Sequence, residues 1–181
     1  MKVSREQMKA NRARILDEAG RLFRQHGFDA VTVSDIMKAA GQTHGGFYGH
    51  FASKDELVAQ TMIHLLHGEG SVAAGLEAWI DTYLSPPHRD APAQGCPTAS
   101  LAGLMRGQTC EARAAMADGL AAQLGRLAAA LPEGDAVARR REAIGTWAAM
   151  VGAVILSRSV DDAALAEEVL TGTRAWIANM T

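Results

Sequence analysis

The stretch Thr32–Lys54 reads TVSDIMKAAGQTHGGFYGHFASK, and its local chemistry alternates between helix starts and helix stops. Thr32 can cap a helix with Asp35, three residues on, as the reciprocal partner, and Val31 and Ile36 have the spacing of a hydrophobic staple. Val33, Ile36, Met37 and Ala40 recur at i, i+3, i+4 and i+7, which marks one buried face. Gly41 supplies a positive-φ stop. The pattern then predicts a second helix from about Thr43 to His50, with Phe47 and Phe51 pointing inward. Ser53 and Glu56 fit another capping box, which starts the next helix at Lys54. Two helices about a tight glycine turn make a helix-turn-helix unit, whose second helix enters the DNA major groove.

The rest of the chain is compatible with that unit. At 181 residues it suits one or two small domains with a real core. Its 48% hydrophobic and 21% charged residues are the balance of a soluble globular protein, not of a disordered one. Abundant Ala and Gly and few β-branched runs favour an all-α fold. No apolar run approaches the roughly 18 residues of a membrane span. The opening MKVSREQMKANRAR lacks the apolar core of a signal peptide, so the expected location is cytoplasmic, with no membrane partner. Cys96 and Cys110 do not make a disulfide framework. HExxH, GxSxG, GxGxxG and P-loop patterns do not occur, so a non-enzyme without cofactor is expected. Charge is unevenly placed: residues 1–54 hold nine Lys/Arg against five Asp/Glu, and the remainder nine against fifteen. A basic end on an acidic body orients a protein toward a polyanion.

Working outward, a helix is expected from about Arg5 to His26, with Ser4 and Gln7 as a capping box and Gly27 as its stop. Its stripe of Ile15, Ala19, Leu22 and Phe23 can close a three-helix core with Ile36, Met37, Ala40, Phe47 and Phe51. Arg5, Lys9, Arg12 and Arg14 lie off the stripe, as a solvated face or as phosphate contacts. On the other side, the helix from Lys54 should run to about Gly68, followed by one over Val72–Leu84 that Pro86-Pro87 stops. Residues 85–96 read as a loop or lid. Helices over about 98–106, 110–131, 135–159 and 162–178 complete a total of about nine. Trp147, Val151, Val154 and Arg158 share one face, with Met150 and Ile155 beside it; Leu165, Val169, Gly172 and Trp176 share another. Gly145, Gly152 and Gly172 would let backbones approach closely.

The series Gly41-x-Thr43-x-Gly45-x-Phe47-Tyr48-x-His50-Phe51-x-Ser53-Lys54-Asp55-Glu56-Leu57 resembles the N-terminal signature of the tetracycline-repressor (TetR) family of bacterial transcription regulators. The resemblance covers roughly residues 10–60; beyond that, only length and helical layout agree. It implies a DNA-binding head over 1–53 and a helical ligand-binding and dimerisation body over 54–181. It further implies that the helix from Lys54 joins the two, and that the last two helices form a homodimer interface from Trp147, Val151, Val154, Ile155, Arg158, Leu165, Val169, Gly172 and Trp176. The implied partners are double-stranded DNA as a palindromic operator, a second copy, and an unknown small-molecule effector that releases the DNA.

Within the head, His44 is the best-placed side chain for a base edge, because N-terminal residues of a recognition helix reach the groove floor. Tyr48 can offer its hydroxyl to a phosphate, and Lys54 adds charge where backbone N–H groups also point outward. Thr43 and Thr32 can share their hydroxyls between cap and phosphate; Gln42, Ser34 and His50 are further candidates. Gly45 allows close approach, or relieves packing against the first helix. Gly46 and Gly49 stand where the family more often carries a hydroxyl or a large side chain, so weak, non-specific DNA binding is an alternative reading. In the body, Met62, Leu66, Trp79, Tyr83, Leu101, Met105, Met116 and Leu120, with Leu76, can line an adaptable cavity or simply fill a core. Cys96, between Gly95 and Pro97, offers a second route, a thiol sensor of oxidants or electrophiles. His64 and His67 with Glu69 nearby show no third ligand by spacing, so no metal site is expected.

Overall fold

Ser4 accepts a hydrogen bond from the Gln7 amide (3.1 Å) and opens α1, Arg5–His26, in a computed structural model that describes residues 4–66 and 75–179. The expected box is only half made, because the Gln7 side chain donates to Asn11 Oδ1 (2.9 Å). Gly27 closes α1 at φ +79°, its N–H bonded to the Phe23 carbonyl. The Thr32–Asp35 box at the start of α2, Val33–Ala39, is complete: Thr32 N–H donates to Asp35 Oδ2 (2.9 Å), and Asp35 N–H to Thr32 Oγ1 (3.2 Å). At its other end Gly41 (φ +66°) donates to the Lys38 carbonyl and Gln42 to that of Met37. These paired bonds satisfy carbonyls that a helix end leaves open.

The next segment departs from expectation. His44–Gly49 is a 3-10 helix, not an α-helix. Gly45, Gly46 and Gly49 each weaken an α-helix by about 1 kcal/mol relative to Ala, and six residues supply few i→i+4 bonds to offset that. The segment is held instead by Phe47 and Phe51, both buried, with stacked rings 5.7 Å apart. Ser53 Oγ then accepts from Glu56 N–H (3.1 Å) at the start of α3, Lys54–Leu66; the Glu56 carboxylate reaches Ala52 N–H (2.7 Å). The expected end of this helix near Gly68 and the expected start of the next at Val72 lie outside the described residues, as do His67 and Glu69.

α4 covers Leu76–Tyr83. Pro86-Pro87 does not simply stop it: with Ser85 as cap, the pair opens a short α5, Pro86–Asp90, because proline fits the first turn of a helix. The helix expected over 98–106 splits into α6, Pro97–Leu101, and a 3-10 turn, Ala102–Gly107. α7, Cys110–Ala130, α8, Ala136–Arg158, and α9, Ala163–Ala178, are capped by Thr109, Asp135 and Asp162. No strand occurs among the described residues, and no helix there is long and apolar enough to cross a membrane.

The apolar interior forms two clusters. Ile15, Phe23, Ile36, Met37, Phe47 and Phe51 pack with Leu57 and Met62 of α3 and with Leu101 and Met105, so the first cluster runs past residue 53 without a break. The second gathers Ile80, Tyr83, Leu127, Trp147, Met150, Val154 and Leu170. α7 lies between α3 and α8. Two glycines set the spacing around α3: a Cβ at Gly20 would sit 2.8 Å from Leu65, and one at Gly119 only 2.4 Å from the Leu66 Cβ.

Candidate nucleic-acid interface and body cavity

On the head, the capped turn presents a surface. Ser34, Thr43, His44 and Gly45 are exposed, and Tyr48 is 70% exposed with its ring edge against Phe47. Gln42 and His50 are half-buried. Burial, then the Arg12 guanidinium, lower the pKa of His50 and favour its neutral form. Arg12 itself lies over the Phe51 ring (4.6 Å), so this cation is engaged with the head's own aromatic core. Two further groups already have internal partners. The Thr32 hydroxyl donates to Asp35, whose carboxyl is held below its ordinary range first by that bond. Lys54 Nζ donates to the Phe28 carbonyl (2.6 Å), which leaves its other two protons for a phosphate. Packing does not explain the glycines: a Cβ at Gly45 or Gly49 meets nothing within 4 Å, and one at Gly46 makes only ordinary contact.

In the body, a cavity of about 350 Å³ opens between α3, α4, α7 and α8. Of the residues expected to line it, Leu66, Trp79 and Tyr83 do so. Met62, Leu101 and Met105 are instead buried in the core that joins head and body, Met116 packs against that core, and Leu120 packs against the second cluster. The walls that sequence reasoning missed include Trp147, Arg126, Gln123, His88, Gln94 and Thr98, and Cys96 was foreseen only as a thiol. Trp79 and Trp147 stack (5.8 Å, 15°), and Tyr83 tilts against both at 5.7 and 5.3 Å. His88 Nδ1 pairs with the Tyr83 carbonyl (2.7 Å) and Nε2 accepts the Cys96 N–H (3.0 Å), which requires the neutral Nδ1–H tautomer. Burial, opposed by the Tyr83 carbonyl and aided by Arg158, lowers the His88 pKa.

Two arginines fasten the segment that walls this cavity. Arg24, near the end of α1, donates twice to the Ala93 carbonyl (2.8 and 2.6 Å). Arg158 donates to the carbonyls of Arg89 (2.8 Å) and His88 (2.9 Å). His64 meets Asp17 (2.7 Å) and so ties α3 to α1.

Arg158 therefore turns inward, against its expected place between two copies. Trp147 and Val154 also turn inward, 6% and 0% exposed. α8 carries apolar residues on opposite faces, and periodicity alone does not say which face meets the chain's own core. The outward face holds Ile144, Ile155 and Leu156 on α8 and Leu165 and Trp176 on α9, of which Ile144 and Leu156 were not anticipated. Val151 and Val169 are half-buried, and Cβ atoms at Gly145, Gly152 and Gly172 would meet nothing within 4 Å.

Residues 15–61 match the model of the bacterial regulatory proteins, tetR family. The chain is similar to the HTH-type transcriptional repressor Rv1474c of Mycobacterium tuberculosis (41% identical over 56 residues, 31% of this chain and 30% of that one). It is also similar to the HTH-type transcriptional regulator TtgR of Pseudomonas putida (39% over 64 residues, 35% and 30%). The chain thus spans about 30% of the length of the curated relatives it matches. Over the whole length it shares its fold with the reduced form of E. coli NemR, at a TM-score of 0.75 and 19% identity, covering 94% of this chain and 96% of that one.

Proposed function

We propose that this chain, a member of the tetR family of bacterial regulatory proteins, represses transcription as a homodimer on a palindromic operator and is released when a small molecule fills the body cavity. The observation that carries the reading is the outward stance of His44 and Tyr48 on a capped turn of a basic head. A recognition element is useful only if its first turn is free to enter a groove. Arg5, Lys9 and Arg14 are exposed on the same head and supply phosphate contacts. The outer faces of α8 and α9 pair two copies, which sets two heads on successive half-sites.

Release follows from what the cavity touches. Leu65 and Leu66 in its wall belong to α3, the helix that begins at the head with Lys54. The opposite wall, Gly95 and Cys96, adjoins the Ala93 carbonyl held by Arg24 of α1. A molecule that spreads these walls moves both attachments of the head at once. The test is a gel shift on the intergenic DNA beside the gene. Salt-sensitive retention with preference for an inverted repeat over random duplex is expected. Equal affinity for both duplexes would sink the repressor reading and leave non-specific binding. His44→Ala should also change the ranking of operator variants.

Thiol sensing is a second reading of the same wall. Cys96 is half-buried there, and Arg24 and Arg158 hold the carbonyls of Ala93, Arg89 and His88 in the segment that leads to it. If it operates, iodoacetamide abolishes DNA binding in the parent and in Cys110→Ser, but not in Cys96→Ser.

A further inference from the structure

Buried donors without a partner gather at the cavity wall. Five buried side-chain polar atoms lack a hydrogen-bond partner among the described residues, and three of them belong to residues of this wall: Tyr83 Oη, Trp147 Nε1 and Arg126 Nε. Tyr83 and Trp147 are more than nine-tenths buried. The indole and guanidinium nitrogens can only donate. The phenol is fixed as a donor as well: burial first, and the neighbouring Cys96 sulfur second, hold it protonated far above the ordinary range. That sulfur is too weak an acceptor to satisfy the hydroxyl.

Of the other polar side chains in the wall, Gln94 and Thr98 can each donate or accept, and three more are already engaged. His88 uses both ring nitrogens, Gln123 Oε1 accepts from Arg126 (2.6 Å), and Thr82 Oγ1 donates to the Ala78 carbonyl (2.8 Å). No Asp or Glu lines the cavity among the described residues, whereas Arg126 brings a positive charge. An unpaired buried donor costs roughly 1–3 kcal/mol, so three at one cavity wall favour a ligand that brings an acceptor. The indoles of Trp79 and Trp147 and the Tyr83 ring supply flat apolar walls. A volume of about 350 Å³ is at the small end for ligand pockets.

We infer that the cavity takes a small aromatic carboxylate, one or two rings across, with its ring against the Trp79–Trp147–Tyr83 wall and its carboxylate received by Arg126, Trp147 Nε1 and Tyr83 Oη. The inference rests on the cavity being the effector site and adds the chemical class of the effector. A cationic or purely hydrocarbon ligand would leave the three donors as they are and gain nothing from Arg126.

The probes are 2-naphthoate, 2-naphthamide and 2-(aminomethyl)naphthalene, titrated calorimetrically into the full chain. The carboxylate binds, and the cation does not. Arg126→Gln weakens the carboxylate about tenfold or more and changes the amide by no more than about twofold, since a charge-assisted bond is roughly twice as strong as a neutral one. Arg126 is half-buried, so the melting point of free Arg126→Gln is read beside its affinities to show that the variant is folded. Tyr83→Phe supplies a readout without ligand. It removes a hydroxyl whose one neighbouring acceptor is the weakly accepting Cys96 sulfur, so the free protein melts little or no lower than the parent, while the melting rise caused by 2-naphthoate shrinks. Equal affinity for carboxylate and cation, an unchanged Arg126→Gln, or a clearly lower melting point for free Tyr83→Phe would overturn the inference. The same titration on the operator complex separates the two readings. Carboxylate binding with the DNA complex intact upholds the ligand class and rejects release. Operator binding without any carboxylate binding rejects the ligand class alone.

Discussion

An alanine methyl at Gly45 or Gly49 would meet no atom within 4 Å, and neither residue has a positive φ. Nothing in the fold therefore asks for glycine at these two positions, whereas a close approach of the backbone to DNA, under the proposed function, would. Gly45→Ala and Gly49→Ala should each raise stability by about 0.4–1 kcal/mol by restricting the unfolded chain. Both should weaken operator binding, because a methyl then stands where backbone meets DNA. Urea unfolding paired with a gel shift reads both effects; an unchanged DNA affinity would show that the backbone does not approach so closely. His50 and His88 give the second prediction at this scale. Both have pKa values lowered on folding, mainly by burial. The unfolded chain then binds protons more readily, so stability is present above the ordinary histidine range and is lost as pH falls below about 6.5. Protonated His88 also loses its bond to the Cys96 N–H. Thermal melts between pH 7.5 and 5.5 should show the decline, and His88→Asn should flatten part of it.

α3 and α7 meet through a glycine, and this contact sets how the helix from the head lies on the body. Gly119→Ala places a methyl 2.4 Å from the Leu66 Cβ. The resulting strain of about 1–3 kcal/mol exceeds the roughly 1 kcal/mol gained from helix propensity, so the variant should be less stable than the parent. Gly125→Ala, on the same helix with nothing within 4 Å, should be more stable. Denaturant midpoints that move the same way for both would contradict the packing argument. Helix ends are the level at which the sequence was most informative. The Thr32–Asp35 box and the Gly27 and Gly41 stops depend on residues a few positions apart, and their geometry is local. The 3-10 form of His44–Gly49 was less legible, because it reflects a balance between weak propensity and the anchoring of Phe47 and Phe51. The cavity was barely legible: Trp147 and Tyr83 are far apart along the chain, and an indole turned toward a void has the same periodicity as one turned toward a partner. The inward turn of Val154 and Arg158 was hidden for the same reason.

At the scale of the whole molecule, the proposed dimer rests on the outer faces of α8 and α9. Ile155 and Trp176, on the packed helices α8 and α9, are 44% and 50% exposed in the single chain, and with Ile144, Leu156 and Leu165 they leave several large apolar side chains open to solvent. Ile155→Arg combined with Trp176→Glu should give monomers by sedimentation and reduce binding to an inverted repeat far more than to a single half-site. A variant that remains dimeric would move the interface elsewhere. The Arg24–Ala93 bond has a different consequence. Surface segments between helices usually tolerate changes in length. This one is fastened at Ala93 from α1 and at His88 and Arg89 from α8. Lengthening it by even one residue would put those carbonyls out of register with their guanidiniums. Residues 88–93 can therefore be varied in composition much more freely than in number, and an insertion there would loosen the cavity wall from both α1 and α8.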